Sequence, residues 1–428
     1  MTLRKSAYQT RIVDDMIREK LHTFGAVCIE GPKWCGKTWT ALNHAASAIM
    51  IGDPLNNFQA RTLANLDSSL ILQGEQPRLI DEWQEVPSIW DAVRHAVDQS
   101  NQKGSYLLTG SSTPQTKGIL HSGTGRIDRI KMRPMTLFES GESNGSVSLS
   151  QLFDRRFQSA KASAVSLESL IRWIVRGGWP GSLKLSLTQS MDIARSYLRS
   201  IIKDDLTRLD NTKRDIRKTS ALLKSLARNV ATTVSNQTLR KDILDNEKET
   251  IDTDTVTNYL DAFRRMYLIE EQPAIEKDYR SRTRVAKSPK RHFVDPSLAV
   301  AAMEVTPAML MSDLRLLGFL FESLVYRDLL VYSEKSNGKV FHYRHHDTGM
   351  EVDAIIEWND GSWGAFEVKL GSHQIDDAAR RLLAFSHSIE EANPNAKPSI
   401  LGVVCGLSDY AYQREDGVFV LPITSLKD

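Results

Sequence analysis

Three stretches of the 428-residue chain predict a multidomain α/β protein. The first is the apolar run Ala26-Val-Cys-Ile29, followed by Gly31-Pro32-Lys33-Trp34-Cys35-Gly36-Lys37-Thr38 and then by Trp39-Thr-Ala-Leu-Asn-His-Ala-Ala. That is a strand, a glycine-bearing loop and a helix in immediate succession. The second is Pro77-Arg-Leu-Ile-Asp81-Glu82, a short apolar strand ending on two acids. The third is Met350-Glu351-Val-Asp353-Ala-Ile-Ile-Glu357, whose alternation reads as a strand that turns at Asn359-Asp-Gly361 into Gly364-Ala-Phe-Glu367-Val-Lys369.

Composition sets bounds without choosing a function. A chain of this length suggests about two to four domains. Hydrophobic content of 41% and charged content of 25% are ordinary for a globular protein, and a net charge of +2 confines any basic surface to a local patch. Cys28, Cys35 and Cys405 show neither metal-ligand spacing nor a disulfide framework, which fits a reducing compartment. With no signal-peptide pattern and no long apolar run, the expectation is a soluble, cytoplasmic protein.

Taken in order, Arg11 to His22 reads as an amphipathic helix leading into the strand before the glycine loop. The loop has the spacing Gly-x4-Gly-Lys-Thr. Its glycines let successive N–H groups face one concavity, and the following helix adds its positive end, so Gly31 to Thr38 are candidate phosphate-binding residues. Lys37 is placed to reach the β- and γ-phosphates, and the Thr38 hydroxyl to ligate Mg²⁺. The alternative is a glycine turn before an ordinary helix.

Ile49 to Asp53 reads as a strand and Phe58 to Leu72 as a helix. Asp81 is then the candidate for holding Mg²⁺ through water, and Glu82 for polarising an attacking water. Ile89 to Val97 continues as a helix, and Ser105-Tyr-Leu-Leu-Thr109-Gly-Ser111-Ser112 as a strand ending in hydroxyls. Strand carboxyl ends line the ligand crevice of a parallel sheet, so Thr109 or Ser111 could sense the γ-phosphate or orient water, or merely cap a helix. Gly125-Arg126-Ile-Asp-Arg129-Ile-Lys-Met-Arg133 reads as the last strand of the sheet. Arg126 or Arg129 is either a solvent-facing arginine or a finger supplied to a neighbouring copy.

Together these stretches, with Ile80-Asp-Glu-Trp-Gln, Leu108-Thr-Gly-Ser and Arg133-Pro…Phe138-Glu139, resemble a group of prokaryotic AAA-type P-loop ATPases. Gly177-Gly-Trp-Pro180, Ser288-Pro-Lys-Arg-His-Phe-Val-Asp295 and Gly318-Phe-Leu-Phe-Glu322 extend the likeness over nearly the whole chain. The resemblance implies ATP and Mg²⁺ as cofactors. It also implies a P-loop NTPase (AAA-like) core over 1–138 and a helical lid over 139–215. A winged-helix-like domain over 216–300 and an α/β restriction-endonuclease-like domain over 301–428 complete the expected division. Cys35 inside the loop is an incidental thiol or a point of oxidative inhibition.

Gly141 to Ser163, rich in Ser and Gly, reads as a loose connection. Asp204 and Asp205, on a helix with Lys203 and Arg208, read as solvated charge. Three helices near Leu222–Val230, Ser235–Leu244 and Asp254–Tyr267, then strands, give the order of a winged helix. The third helix would be the recognition helix, presenting Thr255, Thr257, Asn258, Arg264 and Arg265. Glu276 to Arg291 adds seven basic residues against two acidic ones, with Arg280, Arg282 and Arg284 in alternation. DNA and a protein partner are both candidate ligands of this segment.

In the C-terminal stretch Glu322 lies on the apolar line Phe319, Val325, Tyr326, Leu329, where a carboxylate needs a partner. A hairpin centred on Asp360 sets Asp353 opposite Glu367, and one centred on Gly361 sets it opposite Lys369. Facing carboxylates imply a cation or a shared proton. A divalent metal held by Asp353 and Glu367, with Lys369 orienting water, would suit phosphodiester hydrolysis. This Asp-x13-Glu-x-Lys pattern behind a helix carrying Glu322 resembles the PD-(D/E)xK nuclease core, which in some proteins loses its metal and persists as a scaffold. His342, His345 and His346 read as sheet or surface residues, with metal ligation the alternative.

Overall fold

The structure, a computed structural model, describes residues 8–113, 121–275, 288–345, 349–393 and 396–428. The chain divides into two compact units, not the four segments the sequence suggests. The first comprises Met1–Pro134, Lys203–Arg214 and Asp261–Leu268; the second comprises Met135–Ile202, Asp215–Leu260 and Ile269–Asp428. Among the described residues no helix is long and apolar enough to cross a membrane.

The first unit alternates helix and strand: α1 (Val13–Thr23), β1 (Ala26–Glu30), α2 (Lys37–His44), β2 (Ser47–Met50), α3 (Leu55–Leu66), β3 (Arg78–Asp81), α4 (Ser88–Ser100), β4 (Tyr106–Gly110) and β5 (Ile127–Lys131). The strands form one sheet in the order β2-β3-β4-β1-β5, and every pairing is parallel. β1 and β4 are buried at every position, which is why both read as unbroken apolar runs. Trp83, Ile80, Trp90, Val93 and Leu108 form the core of this unit. Parallel pairing gathers the carboxyl ends of β1, β3 and β4 at one edge.

In the second unit, β6 (Val147–Ser148), α5 (Leu149–Phe153) and β7 (Ala160–Lys161) replace the loose connection expected over Gly141 to Ser163. β6 pairs with β16 (Leu426–Lys427), and β7 with β14 (Tyr410–Gln413). The ordering partners lie some 250 residues away in sequence, so local composition carries no trace of them. Helices α6 (Leu167–Arg176) and α7 (Leu187–Ser200) follow; α8 (Leu206–Asp210) belongs to the first unit. Next come α9 (Ile216–Arg228), α10 (Asn236–Asp242), α11 (Thr253–Arg265) and the antiparallel pair β8 (Ile269–Gln272) and β9 (Lys290–Phe293).

After α12 (Pro296–Met303) and α13 (Pro307–Ser312), the chain runs α14 (Leu314–Glu334), β10 (Lys339–Arg344), β11 (Glu351–Glu357), β12 (Trp363–Gly371), α15 (Ile375–Ala392), β13 (Ile400–Leu407) and β15 (Phe419–Pro422), with β14 before the last. Its seven-stranded sheet has the order β10-β11-β12-β13-β15-β14-β7. β10, β11 and β12 form an antiparallel meander, and α15 returns the chain to a parallel β13. Ala354 lies opposite Phe366 and Glu357 opposite Trp363, so the hairpin is centred on Asp360.

Several residues that carry the family likeness turn out to be architectural. Arg327 bonds Asp295 and Asp328, both at 2.7 Å, with all three side chains essentially inaccessible. Asp295 also accepts from Gly178 N–H at 2.9 Å, and Asp328 from Leu137 N–H at 2.9 Å. A Cβ at Gly178 would lie 2.1 Å from the Met135 carbonyl, so only glycine lets these backbones approach. The segments Gly177–Pro180, Ser288–Asp295 and α14 are thus joined through buried charge.

His292 on β9 stacks on Tyr326 at 4.2 Å and contacts Gln272 Oε1 at 3.2 Å. Burial, and after it the charge of Lys290, push its pKa down to about 3. The unfolded chain therefore binds a proton near pH 6.5 that the folded chain refuses until about pH 3, so stability falls on acidification through that window. The slope from this one group is at most about 1.4 kcal/mol per pH unit. Thermal melts at pH 7 and pH 4.5 should differ less in His292→Phe than in the native protein.

Candidate functional site

The glycine loop leaves β1 and enters α2 at the sheet's carboxyl edge. Gly31 and Gly36 take positive φ values of 155° and 104°, and a Cβ on Gly31 would stand 2.1 Å from the Met132 carbonyl. Arg11 braces the loop from outside, donating to the carbonyls of Cys35 at 2.9 Å and Arg133 at 2.8 Å. Lys37 is buried and donates to the Pro32 carbonyl at 2.7 Å, which keeps the ammonium inside the loop's own concavity. Lys33 bonds Asp205 at 2.7 Å, and Trp34 is 58% exposed. Cys35 is fully buried with its thiol toward the Met132 carbonyl, so the oxidation point considered from sequence is closed to solvent. Asp204 is exposed as expected, but Asp205 is a buried partner of the loop.

β4 lies between β1 and β3, and this brings Thr109 to the two acids. Asp81 Oδ1 accepts from Thr38 at 2.8 Å and from Thr109 at 2.5 Å. Burial pushes the Asp81 carboxyl up, against the two hydroxyls. Glu82 N–H donates to Thr109 Oγ1 at 3.2 Å, and Glu82 holds a left-handed backbone at φ 57°. Such a conformation in a non-glycine residue is sustained only where the surroundings impose it. The Glu82 carboxylate accepts from Ser111 at 2.9 Å and also from the Gln84 amide. Thr109 thus serves the Asp81 side and Ser111 the Glu82 side.

Gln84 was not singled out by sequence reasoning. Its only signal there is its place in Ile80-Asp-Glu-Trp-Gln84. The donors of Thr38 and Asp81 are hard oxygens, the set that suits Mg²⁺.

The arginines lie elsewhere. Arg126 precedes β5 and so stands beside the amino end of β1, away from the loop of its own chain, ion-paired to Asp98 at 2.6 Å. Arg129 is engaged by Glu30 and lies 4.2 Å over the Trp90 ring. Glu30 also accepts from Tyr267 at 2.9 Å, which anchors the Asp261–Leu268 segment beneath the loop.

The second unit brings Glu322 of α14 together with Glu351, Asp353, Glu367 and Lys369 of the sheet, and adds one residue not singled out for this site. Lys290 on β9 reaches Glu322 at 2.7 Å, Glu351 at 3.0 Å and Asp353 at 3.4 Å, with a side chain only 2% exposed. Lys369 reaches Glu367 at 2.5 Å and Asp353 at 3.4 Å. Burial, then the Asp353 charge, push Glu322 up to about 8 and Glu367 up to about 7. Burial opposes ionisation of Asp353 too, but Lys290 and Lys369 hold its carboxyl below the usual range. Burial also works against Lys290, yet Glu322, Asp353 and Glu351 raise its pKa. His342 is buried on β10, His345 follows that strand, and His346 lies outside the described residues. Among the described residues no group of three or more His, Cys, Asp or Glu is arranged to hold a metal ion.

The proposed recognition helix, α11, differs from expectation. Its exposed positions Asp254, Thr257, Asn258 and Asp261 fall on one line and carry two negative charges with no positive one. Arg265 faces inward, to Asp210 at 3.3 Å and the Thr113 carbonyl. Arg280, Arg282 and Arg284 lie outside the described residues.

A glycine loop, a strand-end Asp-Glu pair and strand-end hydroxyls on a parallel sheet define a P-loop NTPase domain. Residues 23–140 match the family model described as an AAA domain, so the chain carries an AAA-type P-loop domain. Residues 167–308 and 317–426 match models described as Domain of unknown function (DUF8612) and Domain of unknown function (DUF4143). Uncharacterised proteins of Mycobacterium tuberculosis and Mycobacterium bovis are each 30% identical over 130 residues, which is 30% of this chain and 29% of theirs. Among solved structures, a Walker-type ATPase of Pyrococcus abyssi is 14% identical with a TM-score of 0.45, covering 70% of this chain and 97% of that one. The replication initiator DnaA bound to AMPPCP and single-stranded DNA is 13% identical with a TM-score of 0.28, covering 61% and 91%.

If Ser111 and Gln84 hold the Glu82 carboxylate in place, Ser111→Ala and Gln84→Ala should each lower kcat for ATP about tenfold, a fraction of a full general-base effect. KM should stay nearly constant, as steady-state kinetics on the two variants would show.

Proposed function

We propose that the chain binds and hydrolyses ATP at Gly31–Thr38, and that the second unit engages a protein partner according to nucleotide state. The observation that carries the first part is the convergence of Thr38 and Thr109 on one oxygen of Asp81, beside Glu82. Entering phosphates would draw the Lys37 ammonium from the Pro32 carbonyl to the β- and γ-oxygens. Thr38 and Asp81 would hold Mg²⁺, which when bound neutralises charge on the phosphates. Glu82, fixed by Ser111 and Gln84, would take the proton of the water that attacks the γ-phosphate. An arginine from a second copy would complete the site, and Arg126 is the candidate. It is the more exposed of the two and its partner Asp98 is itself at the surface, whereas Arg129 is held by Glu30 and the Trp90 ring.

The acidic line on α11 supports a protein partner over DNA for that helix, because nucleic-acid binding draws on cationic contacts to phosphates and this face offers none. A second reading, ATP-driven DNA processing, draws on the α14–β10–β11–β12–α15–β13 order and the carboxylates it collects, which are consistent with a nuclease-like core.

Lys37→Ala should abolish ATP binding while leaving the fold intact; unchanged ATP affinity by titration calorimetry would sink the assignment. Glu82→Gln should still bind ATP but hydrolyse it about 10² to 10⁴ times more slowly. Turnover that is indifferent to added DNA supports the protein-partner reading, whereas DNA-stimulated turnover supports DNA processing.

A further inference from the structure

We propose that Lys290 is a resident cation: its ammonium fills the place among Glu322, Glu351 and Asp353 that a divalent metal would need. The cluster then binds no metal, and the second unit does not cut nucleic acid by metal-assisted hydrolysis. The inference rests on reading α14 to β13 as a nuclease-like frame, and it assigns that frame a filled site.

Three features carry it. The ammonium is in ion-pair contact with all three carboxylates, at 2.7, 3.0 and 3.4 Å. It cannot swing out, because β9 is buried at every position and its partner β8 is bolted to the larger sheet. Gln272 of β8 donates to the carbonyls of Phe341 and Asp353, each at 2.8 Å. Two further carboxylate oxygens are also engaged. Asp353 Oδ2 accepts from Val368 N–H at 2.9 Å and faces Lys369 at 3.4 Å, and Glu367 faces Lys369 at 2.5 Å. Mg²⁺ needs near-octahedral oxygens at about 2.0–2.1 Å, so it would have to displace both ammoniums or sit against them. Like charges about 4 Å apart in a poorly solvated site repel strongly.

Lys369 belongs to the expected Glu-x-Lys pattern; Lys290 arrives from a strand roughly 60 residues before β11. It is this second lysine that changes what the cluster can hold.

The test is a Mn²⁺ titration of the full chain without nucleotide, in an Asp81→Asn background that silences the P-loop, with free Mn²⁺ read by electron paramagnetic resonance. With Lys290 present, no ion should bind below about 1 mM, weaker than even low-affinity carboxylate sites. Adding Lys290→Met should create one site at least tenfold tighter, and Asp353→Asn should remove it again. A Mn²⁺ site in the Lys290-bearing chain that Asp353→Asn abolishes would overturn the proposal and leave the nuclease-like reading standing. If Lys290→Met is well folded and still binds no Mn²⁺, the nuclease-like reading itself falls, and the proposal with it. The Lys290-bearing arm needs no change at position 290, so a misfolded Lys290→Met does not remove the decisive measurement.

Discussion

The hydrogen bond from Thr109 to Asp81 depends on strand order, and much of the first unit depends on it in turn. Because β4 runs between β1 and β3, a hydroxyl from the middle strand stands between the phosphate loop and the acidic strand end. It orients Asp81 toward Thr38 and receives the Glu82 N–H, which helps hold Glu82 in its left-handed conformation. Direct pairing of β1 with β3 would leave Asp81 and Glu82 without this bridge. The same edge recruits distant segments: Lys33 holds Asp205, and Glu30 holds Tyr267. Those two bonds explain why Lys203–Arg214 and Asp261–Leu268 belong with the first unit.

The second unit is organised by buried charge of two kinds. Around Arg327, each carboxylate also accepts a backbone N–H, so the guanidinium and both aspartates are satisfied. Such a node fixes geometry more than it adds net stability, since desolvation offsets most of the Coulomb gain. Breaking it by removing one partner would strand a buried charge. The Lys290 cluster is different, because four carboxyls meet two ammoniums and the excess is negative.

The parallel sheet and the nucleotide site were legible because their signals are local. A strand, a Gly-x4-Gly-Lys-Thr loop and a helix are contiguous, and Asp81-Glu82 ends the apolar strand that must face the loop. Thr109 and Ser111 were found by the same rule about strand ends, though only the structure separates their partners. Gln84 went unnoticed since a glutamine two residues past an acid carries no periodic signal. Short strands β6 and β7 were hidden because residues near the C-terminus define them. The register of β11 against β12 was narrowed to two by the turn, and packing chose between them. Lys290 was visible as one basic residue in a basic run and as part of Ser288–Asp295, but its burial against α14 and β11 is a tertiary outcome.

The charge balance explains why such a cluster persists without a metal. Four carboxylates, of which Glu351 alone is well exposed, and two ammoniums would leave a deficit of positive charge at a poorly solvated site. Two responses are open: import a cation, or retain protons. Burial and the Asp353 charge push Glu322 and Glu367 toward the second course, while Lys290 and Lys369 hold Asp353 below the usual carboxylate range. Protonated glutamates donate as well as accept, so they suit a hydrogen-bonded site and are poor metal ligands, which must be deprotonated. Lys290 and the retained protons therefore act in the same direction. Each lowers the negative potential that would otherwise draw a divalent ion to this face, and the two together make a metal-free cluster self-consistent.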